Sequence, residues 1–389
     1  MNIRNDPTHP DDAAAGIEVT PEFERFTQRN DIFTRAFWDD SIRSAKTDAF
    51  FASYRMEATP RRGDGFGQRD FALRNASWLI SDVITNRGAE DGKREGFQAP
   101  IANDTPVAPE QVPVDDPTAM SAEVKRIAQF FGADLCGITD LDTRWLYESR
   151  VDTRDLSAAP NDLPEGLTHV IVLGHEMEED LVATYPSALA GAATGREYSH
   201  EAAVVMQLAA YIRNLGYEAT ASMNDTGLVI PFAVKAGLGE YARNQMVITP
   251  EFGPRLRFSK IFTNLPLTHD APKPQGVRAF CDICTKCADA CPVKALPFGP
   301  PEVTNDSPSS IKGVRKWTSD AAKCFGFWAK LSSDCAICMR VCPFNRDFRK
   351  WQHRMWLKLA LSPARKIALW MDRKRGGRVK PAAWWARQG

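Results

Sequence analysis

Eight of the nine cysteines of this 389-residue chain fall in two runs toward its C-terminal end. Cys281, Cys284, Cys287 and Cys291 read C-x2-C-x2-C-x3-C-P; Cys324, Cys335, Cys338 and Cys342 read C-x10-C-x2-C-x3-C-P. Thiolate sulfur is a soft ligand that suits iron. The x2 steps let one loop take three corners of a cube, and the proline that follows turns the chain away. In this pattern the fourth cysteine ligates the other cluster. The expectation is two [4Fe–4S] clusters: one on Cys281, Cys284, Cys287 and Cys342, the other on Cys324, Cys335, Cys338 and Cys291. Structural zinc sites favour paired C-x2-C units instead. A disulfide framework needs an oxidising compartment. The ninth cysteine, Cys136 in GADLCGITD, reads as a small buried hydrophobe.

Two clusters make an electron wire, and the residues ahead of them must supply what it feeds. Residues 1–120 are rich in charge, Pro and Gly, with aromatic anchors at Phe33, Phe37, Trp38, Phe50 and Phe51. Short helices and loops wrapping a neighbour are expected there. Residues 99–120 carry five prolines and read as an extended linker. SAEVKRIAQFFGA has helical spacing, and DLCGITDLD and THVIVLGHEM read as strands. EYSHEAAVVMQLAAYIRNLGY is a long amphipathic helix ending near Gly216, EATAS a strand and LVIPFAVKAGLGE a helix. MVITPEFGPRLRFSKIFTNLPL reads as two strands joined by a Pro/Gly turn. The alternation indicates an α/β core over about 121–270. GLGE lacks the third glycine of a dinucleotide fingerprint, no P-loop is present, and no D-x-H-x-x-G offers a histidine to cobalt.

Composition bounds the rest. Lys+Arg and Asp+Glu are 49 each, and 43% of residues are hydrophobic, as in an ordinary globular protein. From Arg340 to Gly389 there are 14 Lys/Arg and two acids, so the end of the chain is basic and the body acidic. A basic tail could meet nucleic acid, a membrane surface or an acidic protein; a solvated surface offsetting the acidic body is the preferred reading. WLKLALSPARKIALWM has the composition of an interfacial helix, but Pro363 interrupts it. No apolar run of about 18 residues exists, so no transmembrane helix is expected. MNIRNDPTHPDDAAAG lacks an apolar export segment, and Arg61-Arg62 lacks the one a twin-arginine signal needs. A cytoplasmic location is the expectation.

The segment from Tyr198 to Asn345 resembles the reductive dehalogenases, corrinoid iron–sulfur enzymes that remove halogen from organohalides. The likeness rests on EYSHEAAVVMQLAAYIRNLGY, on MNDTGLVIPFAVKAGLGEYARNQMVITPEFGPRLRFSKIFTNLPL, on FCDICTKCADACP, and on KWTSDAAKCFGFW followed by CAICMRVCPFN; RNDIFTRAFWD near the N-terminus is also similar. The resemblance, to a short non-exported member, implies a nitroreductase-like α/β (α+β) core holding a base-off cobalamin, with a ferredoxin-like module appended. It divides the chain into a wrapping segment and linker (1–120), the core (121–275), the two-cluster module (276–350) and a basic tail (351–389). It also implies roles. Tyr198 matches the family's proton-donating Tyr, although E-Y-S stands here for G-Y-S. Asn224 matches an active-site Asn, and a cation of R-L-R-F-S-K, Arg257 first and Lys260 second, matches the charge beside the Tyr. Three apart on a strand, those two cations face opposite ways. A nearby cation favours phenolate over a free phenol of pKa about 10, easing proton transfer. The implied activity is cobalamin-dependent removal of halide from a small organohalide such as a halogenated phenol. A separate ferredoxin- or flavodoxin-type donor would feed it, and nucleic acid is not an expected partner. Two alternatives stand beside it. An epoxyqueuosine reductase-like enzyme would use Asp225 as proton donor on tRNA, whereas the preferred reading of Asp225 is an N-cap of the following helix. A non-catalytic iron–sulfur electron carrier is the other.

Overall fold

The structure is a computed structural model, and it describes residues 9–55, 63–84, 96–101, 105–152, 155–161, 163–303, 307–373 and 375–387. Arg61, Arg62 and residues 102–104 of the proline-rich stretch lie outside the described residues.

The core is a four-stranded sheet of β1 (Leu135–Asp140), β2 (His169–Glu176), β3 (Ala219–Ser222) and β4 (Leu256–Thr263) in the order β1-β2-β4-β3. Every neighbouring pair is antiparallel, so of the expected classes the chain takes α+β. The period-2 alternation sorts the faces. Ile138, Ile171, Leu173 and Ile261 enter one buried cluster, and Val170, Val172, Phe258 and Phe262 enter another on the opposite side. Val247–Ile248 pairs with Glu240–Tyr241 rather than with β4, so the two strands read from MVITPEFGPRLRFSKIFTNLPL do not form a hairpin with each other.

Four helices frame the sheet: α1 (Gln68–Val83), α2 (Pro117–Phe131), α3 (Ala188–Asn214) and α4 (Val229–Lys235). Helix α2 starts before SAEVKRIAQFF because Asp116 caps it, accepting from Thr118 N at 2.8 Å, and Pro117 has the φ a first helical residue needs. Helix α3 likewise starts at Ala188, where Ser187 Oγ accepts from Ala190 N at 3.0 Å. Tyr198 therefore lies mid-helix rather than near a helix start, on regular helical backbone. Helix α1 lies against α3, where α3 presents Gly191 and Gly195. A Cβ at Gly195 would run into the Trp78 ring, and one at Gly191 into Asp334. Two missing side chains let the helices approach closely enough for Trp78 to reach past the α3 backbone. The first 100 residues thus supply a 16-residue helix as well as short ones.

The module after the sheet is tied in from both ends. Helix α5 (Ala321–Leu331) sets Phe325 against Phe33 and Phe50, with centroids 5.2 and 5.4 Å apart. Between the cysteine runs, Lys312–Lys316 pairs antiparallel with Val19–Glu24, so the N-terminal segment holds the insertion. Helices α6 (Trp351–Ala360) and α7 (Arg365–Met371) are separated at Pro363, and Trp356 Nε1 donates to Ala368 O at 3.0 Å. They close a core with Phe280, Cys281, Cys284, Trp317 and Phe344. Trp384 and Trp385 pack the tail back, donating to Glu178 and Asp70. Cys136 is half-buried against the main core. Among the described residues no helix is long and apolar enough to cross a membrane.

Candidate active site and cluster module

The phenol oxygen of Tyr198 is where three distant segments meet. Asn224 Nδ2 donates to it at 2.8 Å and Arg257 Nη1 at 3.2 Å. The ring is 6% exposed, stacked on Trp78 at 4.8 Å and flanked by Phe97 at 5.1 Å. Two donors make the oxygen an acceptor and orient the hydroxyl hydrogen away from both. Burial works against the Arg257 charge, but Tyr198, Glu201, Tyr185 and Asp334 around it hold its pKa above the ordinary arginine value. It stays a guanidinium.

Arg257 and Lys260 do different work. Arg257 is half-buried and faces α3; Lys260 points to the other face, fully buried. Its ammonium donates to Met223 O at 2.6 Å and Asp225 O at 3.0 Å, the carbonyls on either side of Asn224. Burial pulls its pKa down to about 8. Lys260 does not touch Tyr198; it holds the turn that presents Asn224. Phe97 O accepts from the Asn224 amide at 3.0 Å, and Tyr147 donates to Asn224 O at 2.9 Å. Asp225 is not the N-cap it was expected to be. Leu228 precedes α4, while Asp225 Oδ1 accepts from Met223 N and Oδ2 from the Thr226 hydroxyl, at 2.8 and 2.6 Å. Its carboxylate is spent on closing a tight turn.

Sequence reasoning missed Trp78, Phe97 and Tyr147, and it missed two buried ionisable groups. Glu201 lies one turn after Tyr198 on α3, with neither carboxyl oxygen hydrogen-bonded and no exposure. Burial pushes its pKa up to about 8. His175 stands opposite Arg257 in the sheet register, also fully buried with neither ring nitrogen bonded. The E-Y-S-H-E spacing does place Tyr198 and Glu201 on one helix face, but nothing local marks that face as polar and buried.

Asn224 also lines a cavity of about 520 Å³, together with Trp145, Tyr147, Leu228, Tyr241 and Trp317. Trp317 belongs to the core around Cys281 and Cys284, so one wall is shared with the cysteine module.

The two cysteine runs interleave in space. Cys342 has Cys281, Cys287 and Cys284 as electrostatic neighbours. Cys335 has Cys324 and Cys291, and Cys338 has Cys324 and Cys335 before Cys287. A tetrahedral zinc at Zn–S about 2.3 Å would bring its sulfurs to about 3.8 Å from one another. Among the described residues no three cysteine sulfurs lie within 4.8 Å of one another. Burial pushes the Cys281, Cys287 and Cys335 thiols up to about 12. Such thiols become thiolates only when a metal takes the proton's place. Arg243 braces the first loop, donating to Cys281 O at 2.8 Å and Cys284 O at 3.0 Å. Sequence spacing, burial and donor type fit iron–sulfur ligation.

Residues 280–345 match the family model described as a 4Fe-4S double cluster binding domain. The tetrachloroethene reductive dehalogenase of Sulfurospirillum multivorans is 36% identical over 390 residues, covering 88% of this chain and 76% of that protein. The enzyme of the same name from Dehalobacter restrictus (strain DSM 9455 / PER-K23) is 36% identical over 293 residues, 64% of this chain and 53% of that one. The structure of the catabolic reductive dehalogenase NpRdhA aligns with a TM-score of 0.73 at 24% identity, over 93% of this chain and 48% of that chain. The chain belongs to the reductive dehalogenase family. It spans about half the length of the Dehalobacter protein and of NpRdhA.

Proposed function

We propose that this protein is a reductive dehalogenase in activity as well as in descent, removing halide from an organohalide of the halogenated-phenol class. Residues 121–275 form a nitroreductase-like core that holds a base-off corrinoid, and residues 276–350 hold two [4Fe–4S] clusters fed by a separate ferredoxin- or flavodoxin-type donor. The observation that carries this reading is the Tyr198 phenol, gripped by Asn224 and Arg257, with Asn224 also lining the cavity. Among the described residues lining that cavity none is His, Cys or Met, which supports a corrinoid held without a protein ligand to its metal.

Bound, the corrinoid supplies the strongly reducing centre at which a carbon–halogen bond is broken. The chain's own residues do the rest. Replacing halide by hydrogen takes two electrons and one proton. Tyr198 donates the proton as a general acid, and Arg257 stabilises the phenolate left behind. Asn224 fixes the direction of the phenol, and Lys260 fixes Asn224. Trp78 and Phe97 exclude water from the ring, so the guanidinium acts at low dielectric, where its charge counts for more. The tRNA-modifying alternative needs Asp225 as donor, and that carboxylate is committed to its own turn.

Anaerobic reconstitution with iron, sulfide and cobalamin tests the reading by metal analysis, visible spectra and EPR. Eight irons and one corrinoid per chain are expected, with bromide release from a brominated phenol. Tyr198→Phe should lower that release about 100-fold or more while leaving corrinoid content unchanged. Eight irons with no bound corrinoid would reject both corrinoid readings and leave an electron carrier or a different cofactor.

A further inference from the structure

Lys316 lines the same cavity as Asn224, together with Ser310 and Thr318. Its ammonium donates to Ser310 Oγ at 3.0 Å and to Thr318 Oγ1 at 2.8 Å. Among the described residues no carboxylate pairs with it. Its strand neighbours behave otherwise: Lys312 pairs with Glu24 and Arg315 with Glu18, both in the open. Half-buried and without a counter-ion, the Lys316 ammonium has its pKa pulled down to about 8 by burial alone. An ammonium held out of water without a partner is costly.

The acids on this cavity's lining do not relieve it. Glu240 spends its carboxylate on the amides of Gly276, Val277 and Arg278, at 2.7, 3.1 and 3.1 Å. Asp31 accepts from Phe33 N at 2.9 Å and from Gln98 at 2.7 Å. Of the other cations on the lining, Lys273 and Arg315 are exposed and Arg278 donates to Gly16 O at 2.8 Å; at Lys316 a half-buried cation stands with two hydroxyls that can turn to donate. That is a donor set for a singly charged phosphate-type oxyanion.

We propose that Lys316, with Ser310 and Thr318, binds the phosphodiester in the nucleotide tail of the corrinoid. The inference rests on the cofactor reading above and adds the site that orients the cofactor in its cavity. The apolar part of the lining offers a corrinoid ring shape but little direction. The Lys316 charge, held by two hydroxyls, supplies an anchor.

The test is equilibrium binding, not turnover. Iron–sulfur-reconstituted, corrinoid-free protein is titrated with cobalamin and with cobinamide, which keeps the ring but lacks the phosphodiester and base. A charge-assisted hydrogen bond to phosphate is worth about ten-fold or more in affinity. Lys316→Met should therefore raise the Kd for cobalamin about ten-fold or more and leave that for cobinamide within about two-fold. Unchanged cobinamide binding also reports an intact cavity. Lys316→Arg should keep cobalamin affinity near native. Equal weakening of both ligands, or no weakening of cobalamin, overturns the proposal while the cofactor reading survives. Inorganic phosphate that binds through Lys316 without competing against cobalamin also overturns it, showing a free-phosphate site. Failure of the native protein to bind either corrinoid overturns the cofactor reading and this inference with it.

Discussion

A phenol that accepts from an amide and a guanidinium at once has its hydrogen directed by elimination, and at residue scale that is the chemistry of Tyr198. The neighbouring ionisable groups make a separate prediction. Glu201 has an ordinary pKa of 4.5 and in the fold is pushed up to about 8 by burial. Between those values the folded chain keeps a proton that the unfolded chain releases, so stability falls as pH rises. His175, driven down to about 3 by burial, acts in the opposite sense, but only below its ordinary value of 6.5. Glu197, raised to about 7 by burial, adds to the fall until that point. Lys260 and Lys316, lowered to about 8, reverse the trend only above that pH. From pH 6.5 to 8 the slope belongs mainly to Glu201. Denaturant unfolding across this window should show declining stability in the native chain, by up to about 1.4 kcal/mol per pH unit, and a flatter profile in Glu201→Gln. An unchanged slope in the variant would mean that Glu201 is hydrated and not titrating as its burial implies.

At the scale of elements, the site depends on how closely α1 approaches α3. Trp78 reaches Tyr198 only because Gly195 has no side chain. Gly195→Ala should push the Trp78 ring away, costing about 1–3 kcal/mol by overpacking and loosening the Tyr198 ring. Gly326, on α5, is the control: nothing lies within 4 Å of a Cβ there, and Gly326→Ala should be neutral or stabilising by about 0.5–1 kcal/mol. Thermal melts of both variants read the comparison. Equal behaviour would show that the helices can separate without cost. The strands and helices of the core were legible from their periods, because burial on one face imposes the pattern. Their starts were less so. The caps at Ser187 and Asp116 lie outside the amphipathic runs, and an apolar N-terminal stretch such as ALAGAAT has no polar face to betray its helix.

Across the whole molecule, the cysteine module ties the chain ends together. In the proposed cross-over Cys342 joins the first run and Cys291 the second, and each has thiols of that run as electrostatic neighbours. Cys342→Ser should therefore abolish the same EPR signal as Cys281→Ser, and Cys291→Ser the same one as Cys338→Ser. If Cys342→Ser instead matches Cys338→Ser, each run serves its own cluster. Cys281 and Cys284 also sit in the core formed with Trp317, Phe344 and Trp356. Stripping iron anaerobically should then lower the melting temperature by several degrees and change the near-ultraviolet tryptophan signal, since metal binding is coupled to folding. An unshifted melt would show that the module folds independently of its metal.

The cysteine spacing by itself pointed to iron–sulfur ligation over residues 280–345, because soft-ligand geometry at short sequence separation leaves few solutions. The opposite facing of Arg257 and Lys260 also followed from strand parity. Tertiary structure decided which cation meets Tyr198: Arg257 reaches the Tyr198 phenol on α3 while Lys260, on the other face of β4, holds the turn of Asn224, and that arrangement is set by sheet order, not by local pattern. It also decided the antiparallel sheet where alternating elements indicated α/β, since strand direction depends on where each connection crosses. Trp78, Phe97, Glu201 and His175 were invisible in the sequence for one reason. Each is ordinary in its own segment, and its burial beside Tyr198 or Arg257 exists only once segments far apart in the chain have packed.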